Sequence, residues 1–292
     1  VFLKLKKNNL SLGNLRPRAI LIRGGGLGDF ILTLPLLYQL QSSYDEVLVL
    51  TKPSYFCLVE KKAVKTQLFD LDSGIVQLSD RMIGSDIFTF WKDKEWVNEL
   101  RNQNVENIFV LPAKPLNPPH IIESIFKVVD FVLPASFLSI PNLGDQWREN
   151  LNLWIHPGSG AGNKNIPFSF YKRTAEDWLH KNKANHVTFS FGEADQSVLS
   201  SFKTKSFINS DRIQIVSPNS VEDYKKLLIM GVSEFWGNDS GPSHLAANLG
   251  MPTNVCFKST DSKIWRPTGP RVRVHEFFQD ANFQCETFQP KT

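Results

Sequence analysis

Cysteine is scarce in this chain of 292 residues: there are three, Cys57, Cys256 and Cys285, widely separated and odd in number. That pattern excludes a disulfide framework, and the lack of paired spacing excludes a cysteine-built metal site, so the composition points to a reducing cytoplasm. Long apolar runs are missing too. Stretches such as 19–22 and 47–50 are far shorter than the roughly 20 residues a membrane-spanning helix requires. Lys4, Lys6 and Lys7 stand near the start with no sustained apolar core behind them, so no signal peptide is expected. Neither charge sign dominates: 33 Lys and Arg face 29 Asp and Glu, and residues 1–145 hold 16 of the former and 15 of the latter. Nucleic-acid binding would call for a stronger basic stripe, which argues against that class of partner. The first 18 residues are a local exception, with Lys4, Lys6, Lys7, Arg16 and Arg18 and no acid. They read either as a solvated arm or as a weak attachment to the anionic face of an inner membrane. The chain also lacks low-complexity segments, exact repeats, a G-x-S-x-G elbow and clustered metal ligands, which removes support for hydrolytic-triad and metalloenzyme classes.

What the chain has is bulk and alternation. Its hydrophobic content is 41%, with 22 phenylalanines and 7 tryptophans, enough for two ordinary cores. The patterning predicts a strand at 19–23, a glycine-rich turn at 24–29, a helix at 30–41 and a strand at 47–51, a β-α-β unit. A helix at 55–62, a strand at 66–71, a helix at 93–102, a strand at 107–111 and a helix at 121–131 complete the first half. Residues 133–145, with Pro134, Pro141, Asn142 and Gly144, read as an extended linker. The second half restarts with a strand at 151–156, a glycine-rich loop at 157–162, a helix at 170–181 and a strand at 186–191. A helix at 194–202, a strand at 213–216, a helix at 221–230 and a strand at 232–236 follow, then a loop and a helix with Pro242 in its first turn. A strand at 253–257 is the last expected. Strands alternating with helices imply an α/β fold of parallel sheets, divided into domains 1–145 and 146–292.

Three loops could carry chemistry. Gly24-Gly25-Gly26-Leu27-Gly28-Asp29 lies between a strand and a helix but does not fit G-x-G-x-x-G, because Asp29 stands in the place of the third glycine. Asp29 reads either as a helix N-cap or as a carboxylate at the C-terminal edge of a parallel sheet, where ligands bind. His156-Pro157-Gly158-Ser159-Gly160 permits close backbone approach to a ligand, with Lys164 downstream as either a ligand contact or a solvated lysine. Asp239-Ser240-Gly241-Pro242-Ser243-His244 is the strongest: hydroxyls, a glycine and a helix N-terminus are the parts of a phosphate cradle. His244 either donates to a phosphate oxygen or packs under the loop.

Taken together, these segments resemble glycosyltransferase family 9, the ADP-heptose:lipopolysaccharide heptosyltransferases and their relatives. The resemblance rests on Ile20-Leu21-Ile22-Arg23 through Gly28-Asp29 with Leu32-Thr33-Leu34-Pro35, on His156-Pro157-Gly158-Ser159 with Lys164, and on 238–247 followed by Gly250-Met251-Pro252. Two positions depart from the family pattern: Ser240 replaces its threonine, and Ile166-Pro167 stands where it has Trp-Pro. The resemblance implies a GT-B architecture, two Rossmann-like domains facing a central cleft, with the acceptor on the N-terminal half and a nucleotide sugar on the C-terminal half. It implies a metal-independent inverting transfer of heptose or a related sugar, without a cofactor, from a nucleotide-diphosphate donor such as ADP-heptose to a lipopolysaccharide-type or other glycan or glycolipid acceptor. Asp29 would be the general base, flanked by the acceptor-side Gly26 and Gly28. The donor would lie on His156, Gly158, Ser159, Lys164, Asp239, Ser240, Gly241, Pro242, Ser243, His244 and Trp265, the last of these alternatively an ordinary packing residue. Rival expectations are a nucleotide-sugar epimerase or hydrolase on the same scaffold, and a non-catalytic nucleotide-sugar binder.

Overall fold

A computed structural model describes residues 16–60, 65–73, 78–195, 198–200 and 211–277. Cys285 and the lysines at 4, 6 and 7 lie outside them. The first half is a five-stranded parallel sheet in the order β3-β2-β1-β4-β5, built from β1 (Arg16–Ile22), β2 (Tyr44–Thr51), β3 (Lys65–Asp70), β4 (Asp86–Thr89) and β5 (Asn107–Val110). Its strands alternate between two buried faces. Ala19, Leu21, Val47 and Val49 pack with α1 (Leu27–Ile31), α2 (Leu34–Ser43) and α5 (Ile121–Val129), whereas Ile20, Ile22, Leu48 and Leu50 meet Leu78, Met82 and Leu100. The last two come from α3 (Ser79–Met82) and α4 (Lys94–Asn102). Burial on both faces is why β1 and β2 read as unbroken apolar runs.

The second half is a six-stranded parallel sheet in the order β11-β10-β9-β6-β7-β8. Its strands are β6 (Asn152–His156), β7 (His186–Ser190), β8 (Ile213–Val216), β9 (Glu234–Asn238), β10 (Thr253–Phe257) and β11 (Val272–Glu276). The helices are α6 (Phe168–Lys181), α7 (Val221–Met230), α8 (Gly241–Asn248) and α9 (Ser262–Trp265). In each sheet the winding reverses at the centre, between β1 and β4 and between β6 and β9. Ligands of such folds bind outside the C-terminal ends of the strands at those reversals.

Several expectations are corrected. β4 was not anticipated: it is only four residues long, and only its pairing with β1 and β5 sets its ends. β11 was missed as well, an edge strand whose half-buried pattern is weak. The helix expected at 30–41 is two, because Pro35 sits in the first turn of α2 and α1 ends at Ile31. The segment expected to be helical at 55–62 forms a 3₁₀ turn over Pro53–Leu58, and residues 61 and 62 lie outside the described residues. Of the helix expected at 194–202, a 3₁₀ turn at Glu193–Asp195 and helical residues 198–200 are described.

Residues 133–145 are docked on both sides. Tyr38 Oη donates to the Asn142 carbonyl at 2.6 Å, and Asn142 Nδ2 donates to Asn248 Oδ1 at 2.9 Å and Thr268 Oγ1 at 3.1 Å. The largest apolar cluster is continuous from one half to the other, joining Leu34 and Phe88 to Tyr224, Leu245 and Leu249.

Candidate functional site

β1 delivers Arg23 and the glycine turn to the centre of its sheet edge. Gly25 takes φ +95°, a conformation glycine reaches without steric cost, and the turn folds back so that α1 begins at Leu27. Gly26, not Asp29, is therefore the N-cap, and Asp29 lies at the third helical position. Its Oδ2 accepts the Gly26 N–H at 2.9 Å, the reach-back half of a capping box. Oδ1 meets Arg23 Nη2 at 3.2 Å, and the Asp29 carbonyl accepts from Thr33 Oγ1 at 2.9 Å. Arg23 is buried, its guanidinium 3.9 Å from the Phe90 ring that follows β4. Burial lowers its pKa, and the neighbouring Asp29 charge opposes that shift. The carboxylate is thus held at both oxygens, yet its side chain keeps 28% of its surface open. Each oxygen retains a lone pair for another donor.

In the second half, β9 ends on Asn238, whose amide fastens two loops. Its Nδ2 donates to the Pro157 carbonyl at 2.8 Å, and its Oδ1 accepts from Ile166 N–H at 3.0 Å and Tyr171 Oη at 2.7 Å. Asp239 is buried. Its Oδ2 accepts from Lys164 Nζ and from Thr260 Oγ1, both at 2.7 Å, and its Oδ1 is 3.6 Å from His244 Nε2. Burial would raise its pKa, but the histidine and Lys164 outweigh burial and hold it down at about 2. The 3.6 Å separation is an ion-pair distance, so the direct bonds to Asp239 come from Lys164 and Thr260. Ser240 caps α8 with extended backbone, its hydroxyl buried and unpartnered. Pro242 occupies the first turn, and Ser243 Oγ turns inward to the Asn238 carbonyl at 2.6 Å.

The two helix starts meet. A Cβ at Gly28 would lie 2.9 Å from His244 Cδ2, and one at Gly241 would lie 2.7 Å from Leu27 Cβ. Glycine at both positions lets α1 and α8 approach closely, so that the first turn of α1, which carries Asp29, meets the first turn of α8. His244 is buried in this seam with Nδ1 unpartnered, so it both packs under the loop and faces Asp239. Lys164, Asp239, Ser240, Gly241, His244, Gly26, Gly28 and Asp29 are brought together.

Other predicted residues serve the loops from behind. His156 is buried, with Nδ1 3.2 Å from Ser190 Oγ and Nε2 3.4 Å from Asp195; burial lowers its pKa against the pull of that carboxylate. Gly158 lies directly against Asp195, leaving no room for a Cβ. Ser159 Oγ is 2.6 Å from both the Ala161 carbonyl and Asn165 Oδ1 and donates to one at a time. Trp265 packs on the main core. Sequence reasoning passed over Arg23, Asp195, Asn238 and Thr260, although Arg23 and Asn238 lay within the quoted motifs. Among the described residues, no group of three or more His, Cys, Asp or Glu is placed to hold a metal ion. No helix there is long and apolar enough to cross a membrane.

At the level of sequence, no curated protein matches the chain. The model of glycosyltransferase family 9 (heptosyltransferase) matches residues 150–287. Among solved structures, a family 9 glycosyl transferase from Veillonella parvula superposes with a TM-score of 0.69 at 12% identity, covering 91% of this chain and 88% of that one. Escherichia coli heptosyltransferase WaaC with ADP gives 0.63 at 13% identity, covering 89% and 93%. The iron-containing dodecameric glycosyltransferase TibC from enterotoxigenic E. coli gives 0.54 at 13% identity, covering 88% of this chain and 62% of that one. The architecture is that of the GT-B glycosyltransferases.

Proposed function

We propose that this chain, whose residues 150–287 match the model of glycosyltransferase family 9, is a metal-independent, inverting glycosyltransferase. It would move heptose or a related sugar from a nucleotide-diphosphate donor to a hydroxyl of a glycan or glycolipid acceptor. The observation that carries the reading is the meeting of α1 and α8, which sets a half-open carboxylate opposite a helix N-terminus. The helix start, with Ser240 Oγ and the Gly241 backbone, suits a diphosphate: its N–H groups and dipole favour negative charge. Lys164 and His244 hold Asp239, and through it the loop; they are near enough to share in stabilising the leaving group. The acceptor hydroxyl lies against Asp29 and attacks the anomeric carbon from the side opposite the diphosphate. Its proton passes to the Asp29 carboxylate as the new C–O bond forms. The bond to the diphosphate breaks, and the leaving group takes the electron pair into the α8 cradle. Arg23 and the Gly26 N–H keep the base aimed, which is a positioning role.

The donor class draws support from WaaC, which is seen with ADP; a thermal-shift comparison of ADP-, UDP-, GDP- and dTDP-sugars identifies the base. Asp29→Asn retains an acceptor for the Gly26 N–H. It is expected to lower transfer by about 10²–10⁴-fold while donor binding persists. Unchanged transfer by this variant would overturn the assignment of the base. Full-rate donor hydrolysis without an acceptor would favour a hydrolase instead, and donor binding without turnover on any acceptor would favour a binding protein. TibC contains iron; transfer that vanishes on exhaustive chelation and returns with added metal would overturn the metal-free part of the scheme.

A further inference from the structure

Arg266 directly follows α9, at the junction of the two halves. Its carbonyl is 3.0 Å from His120 Nε2, and His120 Nδ1 accepts the Ile122 N–H at 3.3 Å at the start of α5. With one ring nitrogen donating and the other accepting, His120 is the neutral Nε2–H tautomer. Burial agrees, pushing its pKa down to about 4. The ring therefore ties the first half to the Arg266 backbone and leaves the guanidinium untouched. That guanidinium is unusual. Its Nε is fully buried with no hydrogen-bond partner, and none of the ion pairs among the described residues includes it. Burial lowers its pKa with no neighbouring charge to oppose it.

The other cations of the site are matched. Arg23 has Asp29, Lys164 has Asp239, and Lys258 Nζ reaches the Asn165 carbonyl at 3.3 Å. Arg266 is half-buried, and a buried guanidinium nitrogen with neither acid nor carbonyl against it calls for an explanation. Two further buried polar atoms without partners, Ser240 Oγ and His244 Nδ1, lie on adjoining α8, and His120 is within electrostatic reach of both His244 and Arg266. The carboxylate of Asp239 neutralises Lys164, so that pair leaves little net positive charge there for a diphosphate.

We propose that Arg266 binds an oxyanion of the substrate, a phosphate or a carboxylate, through the fork of its N–H groups. The proposal rests on the transferase reading, and the oxyanion has two sources: the donor's diphosphate, or an acidic group on the acceptor. The guanidinium fork matches either in geometry and charge.

Calorimetric titration of the full chain separates the sources. One arm uses inorganic pyrophosphate, which needs no knowledge of the base; the other adds inorganic phosphate to protein saturated with pyrophosphate. If Arg266 serves the donor, Arg266→Gln weakens pyrophosphate binding by roughly ten- to a hundredfold. If it serves the acceptor, pyrophosphate binding is kept and the phosphate bound by the wild type is lost to the same extent. Arg266→Met, which retains the aliphatic stem, gives the same loss. Without ligand both variants melt at or above the wild-type temperature, because a half-buried charge with no ion-pair partner has been removed. Affinities within twofold of wild type in both arms would overturn the proposal, as would a ligand-free melting temperature several degrees lower. Those results leave the transferase reading standing if the wild type binds pyrophosphate. A wild type that binds neither probe overturns both.

Discussion

Asn238 has no charge, yet its amide bonds the loop after β6, the turn before α6 and a buried tyrosine of that helix. Replacing it with alanine leaves the Pro157 carbonyl, the Ile166 N–H and the Tyr171 hydroxyl to find new partners. Because buried unpaired groups carry their full desolvation cost, Asn238→Ala is expected to destabilise by about 2–4 kcal/mol in urea unfolding. Its neighbour Asp239 sets a pH dependence. Its folded pKa is about 2 against an ordinary 3.8, so the unfolded chain binds the proton first as the medium acidifies. The stabilisation is complete above the ordinary value and is lost as pH falls through the folded one. It amounts to about 2 kcal/mol for this buried group. Unfolding measured between pH 5 and 2 is expected to show this loss in the wild type and a flatter acid limb in Asp239→Asn.

At the scale of elements, the seam between α1 and α8 depends on two missing side chains. Gly28→Ala would drive a methyl into the His244 ring, costing about 1–3 kcal/mol and widening the space between the starts of α1 and α8. In a His244→Ala background the same change is expected to cost much less, and a double-mutant cycle on melting temperature measures the difference. Additive effects would show that the two residues do not touch in solution. The strand–loop–helix units on either side of this seam were legible because each loop interrupts a fully buried apolar run with glycines and polar residues. Their meeting was not legible, since nothing local records that Gly28 faces His244 or that Gly241 faces Leu27. β4 escaped for a related reason: Asp86–Thr89 is too short to carry a period and is fixed by its neighbours in space. Asp29 as an edge carboxylate was legible, but its capping position was not, because the positive φ of Gly25 starts the helix earlier than the apolar pattern does.

The whole molecule is less divided than two sheets would suggest. One apolar cluster runs from the first sheet through Leu245, Ala246 and Leu249 of α8 to Tyr224 and Leu228 of α7. Lys225 Nζ also reaches the Cys57 carbonyl across the halves at 3.1 Å. Calorimetric unfolding is therefore expected to be a single transition, and Leu245→Ala to shift all of it, at a cost of about 2–5 kcal/mol. Two separable transitions, only one of them moved, would mean that the shared cluster does not couple the halves. The stitching at Asn142 has a mechanical side. Asn142 grips Asn248 at the C-terminal end of α8, while Ser240 lies at the opposite end, so the helix resembles a lever pinned at its base. Eight residues make an arm about 12 Å long, and a turn of about 10° about the pin sweeps the tip through about 2 Å. Any rocking of one half on the other would thus be read out as stroke at the start of α8, with the fulcrum at Asn142 left undisturbed.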